Sequence, residues 1–237
     1  MIPRAVLFDL DNTLVHRAQS ITSYANRFVA DFKDRLDQVS ESLVSTTILQ
    51  QDNGGYLAAN SAFKSIKDAI SFTLSRRLAW RTPATPDEIK VHWARHFPSH
   101  AIEMSGASQL INFLIDSNIR SGIISNGSQR SRLETVNVLP FGRKIEVLVS
   151  SERIGVNKPD PHIFAVAATE LGVSTKECWY VGDHPINDIS GALNAGMQAI
   201  WLRGFHDWPV DEKQPDFSVS SLSEVIHLMT QYDPHTL

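Results

Sequence analysis

The sequence predicts an α/β fold, a doubly wound and mostly parallel sheet with an all-helical segment inserted after its first strand. Three observations predict it. From about residue 105 onward, short apolar runs without helical period alternate with helical patterns. A further apolar run begins almost at Met1 and ends in acidic residues. Between these, residues 20–96 show helical spacing and no strand pattern.

Ala5 to Leu10 gives the first strand. Ile21, Tyr24, Ala25, Phe28, Phe32, Leu36 and Val39 then recur at helical spacing, and further helical patterns follow at 57–80 and 86–97. The last has Thr85 as N-cap, Pro86 at the first helical position and Glu88 to complete a capping box. Asp52-Asn53-Gly54-Gly55 interrupts the region once. Beyond it the spacing predicts a helix at 107–117, a strand at 120–125, a helix near 128–136 and a strand at 145–149. A helix at 161–171, a strand at 178–181, a helix near 187–195 and a strand at 198–202 follow. Repeated βα units imply a parallel sheet covered on both faces, and the first strand must join it. Residues 1–15 and 100–237 therefore form the α/β domain, and 16–99 the helical one.

The composition suits a globular chain, with 42% hydrophobic and 20% charged residues. A net charge of −4 without a basic block points away from nucleic acid and anionic membranes. No apolar run is long enough to span a bilayer, and Ala5 to Phe8 is too short for a signal peptide. Cys178 is the lone cysteine, so no internal disulfide is available, which fits a reducing compartment. The expectation is a cytoplasmic protein.

Ligands of open parallel sheets sit beyond the carboxyl ends of the strands. The first strand delivers Asp9 and Asp11 there, the 120–125 strand Ser125 and Asn126, and the 178–181 strand Asp183. Residues two apart on an extended segment point the same way, so Asp9 and Asp11 face one ligand while Leu10 enters the core. Two carboxylates that close repel by about 4 kcal/mol at an effective dielectric near 20. A divalent metal offsets this, and hard oxygen ligands select magnesium over zinc. Lys158 lies on a stiff Asn157-Lys-Pro-Asp-Pro loop in which Asp160 and Pro161 open a helix, so its ammonium can be aimed at a phosphate and at Asp9. Ser125-Asn126-Gly127 offers an anion cradle where strand runs into helix. Asp188 occupies the first turn of a helix, where it either complements the helix dipole or, near the metal, orients a water or holds Lys158.

Four motifs in order, Asp9-Leu-Asp-Asn-Thr13, Ser125, Lys158 and Gly182-Asp183 with Asp188, resemble the haloacid-dehalogenase-like superfamily of hydrolases. The resemblance spans essentially the whole chain, including a helical cap inserted after the first motif. It implies a Rossmann-like core and a magnesium-dependent phosphatase acting on a small phosphate ester of the phosphoglycolate, sugar phosphate or nucleoside monophosphate type. In that reading Asp9 is the nucleophile and Asp11 the acid–base. Ser125, Asn126 and Lys158 bind phosphate. Asp9, the Asp11 carbonyl and Asp183 ligate magnesium, with Thr13 and Asp188 behind them. A phosphosugar mutase would keep the same motifs. A dehalogenase would need neither Asp11 nor Asp183, and a non-catalytic binding module is a third reading.

The cap is expected to set substrate choice, with Gly54-Gly55, Tyr56, Arg76, Arg77 and Arg81 as unranked candidates. Trp80 and Trp93 read as cap core, Cys178 as a small buried residue and His184 as a bystander at the site mouth. His92 and His96 stand one helical turn apart, a zinc-ligand spacing. Pro98 before His100 and the lack of a glutamate after His92 argue against a metal there.

Overall fold

A computed structural model describes residues 2–57, 61–211 and 214–231. The chain divides into two compact units, Met1–Val15 with Glu103–Leu237, and His16–Ile102.

The first unit is built on a six-stranded sheet. Its strands are β1 (Ala5–Phe8), β2 (Arg120–Ser125), β3 (Val147–Ser150), β4 (Cys178–Gly182), β5 (Gln198–Leu202) and β6 (Phe217–Val219). All neighbours are parallel, in the order β3-β2-β1-β4-β5-β6. β1 pairs on one side with Arg120 to Ile123 and on the other with Cys178 to Val181. It is thus a central strand buried on both faces, which is why its sequence is an unbroken apolar run. Ala5 and Leu7 pack with Ile124, Val149, Phe164, Ala167 and Tyr180 on one face. Cys178 is buried in the same cluster, as expected.

Helix α5 (Ala107–Asp116) precedes β2, α6 (Gln129–Asn137) follows it, and α7 (Ser151–Ile154) follows β3. Helix α8 (Pro161–Glu170) starts as the sequence predicts, with the Asp160 carboxylate accepting the His162 N–H at 2.9 Å. β3 starts two residues later than expected, because 142–144 are taken up by a 3-10 turn. The expected helix near 187–195 is a π-helical turn, Pro185–Ser190, running into the short α9 (Gly191–Asn194). Pro185 opens that turn, and His184 Nδ1 accepts the N–H groups of Ile186 and Asn187. β6 and the final helix α10 (Leu222–Gln231) are additions to the sequence reading, which ended at Leu202. Three residues of edge strand carry no readable period, although Leu222, Val225 and Met229 of α10 have helical spacing and are buried.

The second unit contains helices α1 (Arg17–Phe32), α2 (Glu41–Asp52), α3 (Ile66–Arg77) and α4 (Pro86–His96) in its described residues. Tyr24, Phe28, Ile48, Ile70, Leu74 and Trp93 form its core, with Trp80 half-buried against it. The Thr85–Glu88 capping box is present at α4. The pattern through Val39 is not one helix. α1 ends at Phe32, and Leu36 instead pairs with Trp80 as an isolated bridge. Likewise the 57–80 pattern narrows to α3, while residues 58–60 lie outside the described ones.

The helical unit runs to Ile102, three residues past the expected 99, and the α/β unit resumes at Glu103. The reason is local pairing. The His16 N–H donates to the Ile102 carbonyl at 2.8 Å, and the Ser20 hydroxyl accepts the Ile102 N–H at 2.9 Å. On the other side of the boundary Val15 bridges Glu103, and the Met104 N–H reaches the Leu14 carbonyl. Within the described residues no helix is long and apolar enough to cross a membrane.

Candidate active site

The site is assembled at the carboxyl ends of the central strands. The Asp9 N–H donates to the Val181 carbonyl at 3.0 Å, extending the ladder one residue past β1. The chain then turns sharply. Asn12 adopts a left-handed φ of 60°, which asparagine tolerates better than most residues. The N–H groups of Leu14 and Val15 both return to the Leu10 carbonyl. Leu10 is buried, as the alternation predicted. The Thr13 hydroxyl is fully buried and has no hydrogen-bond partner.

Lys158 is the hub of the cluster. Its ammonium donates to Asp9 Oδ1 at 2.6 Å, Asp188 Oδ1 at 2.6 Å and the Tyr180 hydroxyl at 2.9 Å. Its backbone is clamped by Asn126, whose Oδ1 accepts the Lys158 N–H at 2.8 Å and whose Nδ2 donates to the Lys158 carbonyl at 3.1 Å. The Asn126 side chain therefore serves Lys158, and the Gly127 N–H donates to Ser151 Oγ at 3.0 Å, so of the expected anion cradle Ser125 and the Asn126 N–H are left. Ser125 is the last residue of β2 and is buried.

Asp188 is wholly buried, and both its oxygens are engaged: Oδ1 by Lys158 and Oδ2 by the His184 N–H at 2.9 Å. Of the two alternatives for Asp188, this is the one in which it holds Lys158. The approach requires Gly182, since a Cβ there would stand 2.5 Å from the Asp188 Cβ. His184 is a helix-capping side chain, half-buried, with its ring 4.8 Å from that of His206.

Asp9, Asp183 and Asp188 bring carboxylate oxygens within 4.8 Å of one another. Burial is the main reason Asp9 is pushed up to about 7; Lys158 opposes that rise, and Asp188 and Asp11 add to it. Asp183 is raised well above the carboxylate range, first by burial and then by Asp188 and Asp9. Burial alone would lower the Lys158 ammonium, yet Asp188 and Asp9 raise it. Three buried carboxylates thus lie around one ammonium, and Asp183 Oδ2 accepts no hydrogen bond, its neighbour being His206 Nε2 at 3.4 Å. An all-oxygen set with surplus negative charge fits a hard divalent cation.

Asp11 is held apart from this trio. Its Oδ2 lies 2.9 Å from Nη1 of Arg132, on α6, and both side chains keep about a sixth of their surface exposed (17% and 16%). Arg132 and Tyr180 are site residues the sequence reading missed. Tyr180 was legible in principle, because in β4 it shares a face with Cys178 and Gly182. Arg132 was not, since only the packing of α6 brings it to Asp11.

Elsewhere Asp31, His92 and His96 place ligand atoms within 4.8 Å of one another in the helical unit. There His92 Nδ1 meets the Tyr24 hydroxyl at 2.8 Å, His92 Nε2 meets Asp31 at 3.0 Å, and Arg27 donates to the same carboxylate. Both ring nitrogens are satisfied within the fold. Of the expected cap arginines, Arg77 bonds Gln50 and Arg81 bonds Asp37 at the surface.

The family model described as haloacid dehalogenase-like hydrolase matches residues 6–202. The pyrimidine 5'-nucleotidase YjjG of Escherichia coli K12 is 35% identical over 133 residues, 54% of this chain and 57% of that protein. The chain therefore spans little more than half the length of that relative. A phosphoglycolate phosphatase of Rhodospirillum rubrum is 27% identical over 88% of this chain and 83% of its own. Among solved structures, the HAD-hydrolase YfnB of Bacillus subtilis, described as bound to magnesium, superposes with a TM-score of 0.68. It is 18% identical, and the match covers 97% of this chain and all of that one.

Proposed function

We propose that this chain, which belongs to the haloacid dehalogenase-like hydrolase family, is a magnesium-dependent phosphomonoester hydrolase that works through an aspartyl-phosphate on Asp9. The observation that carries the reading is the Lys158 hub, which aims a buried ammonium at Asp9 Oδ1 from 2.6 Å. A carboxylate so placed is oriented for attack, and the same ammonium can follow the negative charge onto a phosphoryl oxygen. The phosphatase names among the relatives, phosphoglycolate and phosphoserine phosphatases included, support the reaction class.

In the first step an Asp9 oxygen forms a bond to phosphorus and the P–O ester bond breaks. Asp11 gives its proton to the departing alkoxide. In the second, Asp11 takes a proton from water, the water oxygen attacks phosphorus, and the Asp9–phosphorus bond breaks to release phosphate. Asp9 and Asp183, with the Asp11 carbonyl, would hold the magnesium ion, which supplies charge neutralisation at the phosphoryl oxygens. Ser125 and the Asn126 backbone N–H would hold the remaining oxygens, since the Gly127 N–H already donates to Ser151 Oγ at 3.0 Å. Asn126 and Asp188 act at one remove by fixing Lys158. We assign His16–Ile102 the part of the inserted cap, which would select the alcohol.

The test is phosphate release from a generic aryl phosphate with magnesium and with chelator. Asp9→Asn should lower the rate by about a thousandfold or more while the unfolding transition stays cooperative. Turnover that survives chelation or survives Asp9→Asn overturns the reading.

A further inference from the structure

Beyond the reaction class stands the question of which alcohol leaves, and a residue outside the four motifs addresses it. The charges of the site are layered by depth. Lys158, Asp183 and Asp188 are almost wholly buried, whereas Asp11 and Arg132 form the more exposed pair. The phosphoryl group belongs to the deep layer. The alcohol then belongs beside Asp11, next to Arg132.

Arg132 is fixed rather than merely nearby. Nη1 lies 2.9 Å from Asp11 Oδ2, and Nη2 donates to the Asn126 carbonyl at 2.6 Å. The guanidinium lies across Gly127, where a Cβ would fall 2.8 Å from Nη2 and 2.9 Å from Nε. The glycine, at φ 144°, is what lets the fork lie flat against the loop after β2. Nε is buried without a partner, and the fork has five N–H donors, of which these contacts use two. It is also the second cation, after Lys158, of an edge that carries Asp9, Asp11, Asp183 and Asp188.

A neutral alcohol beside Asp11 needs no such group. An acidic alcohol there would add a charge to an edge that already receives the phosphoryl anion, and a planar guanidinium fork beside Asp11 pairs well with a carboxylate. Building on the phosphatase reading, we propose that Arg132 is a specificity-determining residue that binds a carboxylate carried on the leaving alcohol. The preferred substrates are then short phosphorylated hydroxy acids, with the carboxylate within a few bonds of the ester oxygen because Arg132 directly adjoins Asp11.

The experiment compares 2-phosphoglycolate with 2-hydroxyethyl phosphate, which differ in having a carboxylate or a hydroxymethyl end. Wild type, Arg132→Lys and Arg132→Gln are assayed with magnesium for kcat and KM. The expected kcat/KM ratio, acid over neutral, is about tenfold or more in wild type, carried mainly by KM. In Arg132→Gln it should collapse to one or below, and Arg132→Lys should recover part of it. A wild-type ratio of one or less, or a ratio that Arg132→Gln leaves unchanged, overturns the proposal and leaves Arg132 as a brace for Asp11. Calorimetric binding of both esters to Asp9→Asn and to the Asp9→Asn/Arg132→Gln double variant separates this from a failure of the phosphatase reading. If wild type releases no phosphate from either ester, the hydrolase assignment falls. Arg132 is then judged by binding alone: tighter binding of the acid that disappears with Arg132→Gln supports it. Equal binding of the two esters, or none, overturns it.

Discussion

Each unit of this protein buries charge, and the two do so in opposite ways. In the helical unit Arg17 and Asp52 form a bidentate pair, Nε to Oδ2 at 2.8 Å and Nη2 to Oδ1 at 2.5 Å, with both side chains almost inaccessible. One cation meets one anion, and the charges cancel. In the α/β unit a single buried ammonium, Lys158, faces Asp9 and Asp188 with Asp183 alongside, so the acids outnumber the cation and Asp9 and Asp183 are driven to hold protons. Structural burial of charge aims at neutrality, because an unpaired buried ion is costly. A cluster whose acids must hold protons to stay neutral can exchange those protons for a cation that arrives from solution. The difference separates a brace from a site without appeal to motif.

The largest effect is expected where neutrality is broken. Asp52→Ala leaves the Arg17 guanidinium buried without its carboxylate and should cost about 3–5 kcal/mol in urea unfolding of the full chain. Replacing both partners by apolar residues should cost much less, and an equal loss would show that the pair does more than neutralise itself.

The α/β cluster should behave in the reverse sense. Asp9 has a folded-state pKa near 7 against 3.8 ordinarily. A raised acid binds more protons in the folded state, so its contribution favours folding at low pH and is lost as pH rises from about 4 to 7. In chelator the wild type should therefore lose stability across that window, and Asp9→Asn should flatten the loss. Added magnesium should raise the melting temperature at pH 7, with a gain in stability of about 2–3 kcal/mol at roughly a hundred times its Kd. Asp183→Asn should blunt that rise. A wild type indifferent to magnesium would remove the contrast between the two units.

The smallest effect concerns two matched surface devices. The Thr85–Glu88 box of the helical unit and the Ser174–Glu177 box of the α/β unit both hold a glutamate at about 2 against 4.5, through hydrogen bonds from Arg35 and Thr85 in one case and from Ser174 and Arg4 in the other. A lowered acid stabilises above its ordinary pKa and ceases to do so as pH falls from 4.5 toward 2. Glu88→Gln and Glu177→Gln should each lower the melting temperature slightly at pH 7 and converge on wild type near pH 2. Parallel curves would show that the caps act through packing instead.

How far the site was legible depends on the range of the interaction that makes it. The burial of Leu10 was readable because strand alternation is local, and Asp160 and Pro161 because a helix start is written in adjacent residues. The break after Phe32 was not readable, because Leu36 leaves the helical path to pair with Trp80, far along the chain. The π-helical turn at Pro185 was read as a later helix, since the cap that starts it comes from a histidine side chain. Arg132 carried no signal at all, because its neighbours Asp11 and Asn126 come from other elements.

The sequence by itself determined the alternation of strands and helices, the helical insertion after β1 and which acids end which strands. Those follow from period, capping and turn chemistry, all of which act over a few residues. The tertiary structure decided that Asp188 serves Lys158, that Asn126 clamps its backbone, and that Asp11 shares its place with Arg132. Each of those depends on distances between elements that are remote in sequence, and only the packed sheet and its helices set such distances.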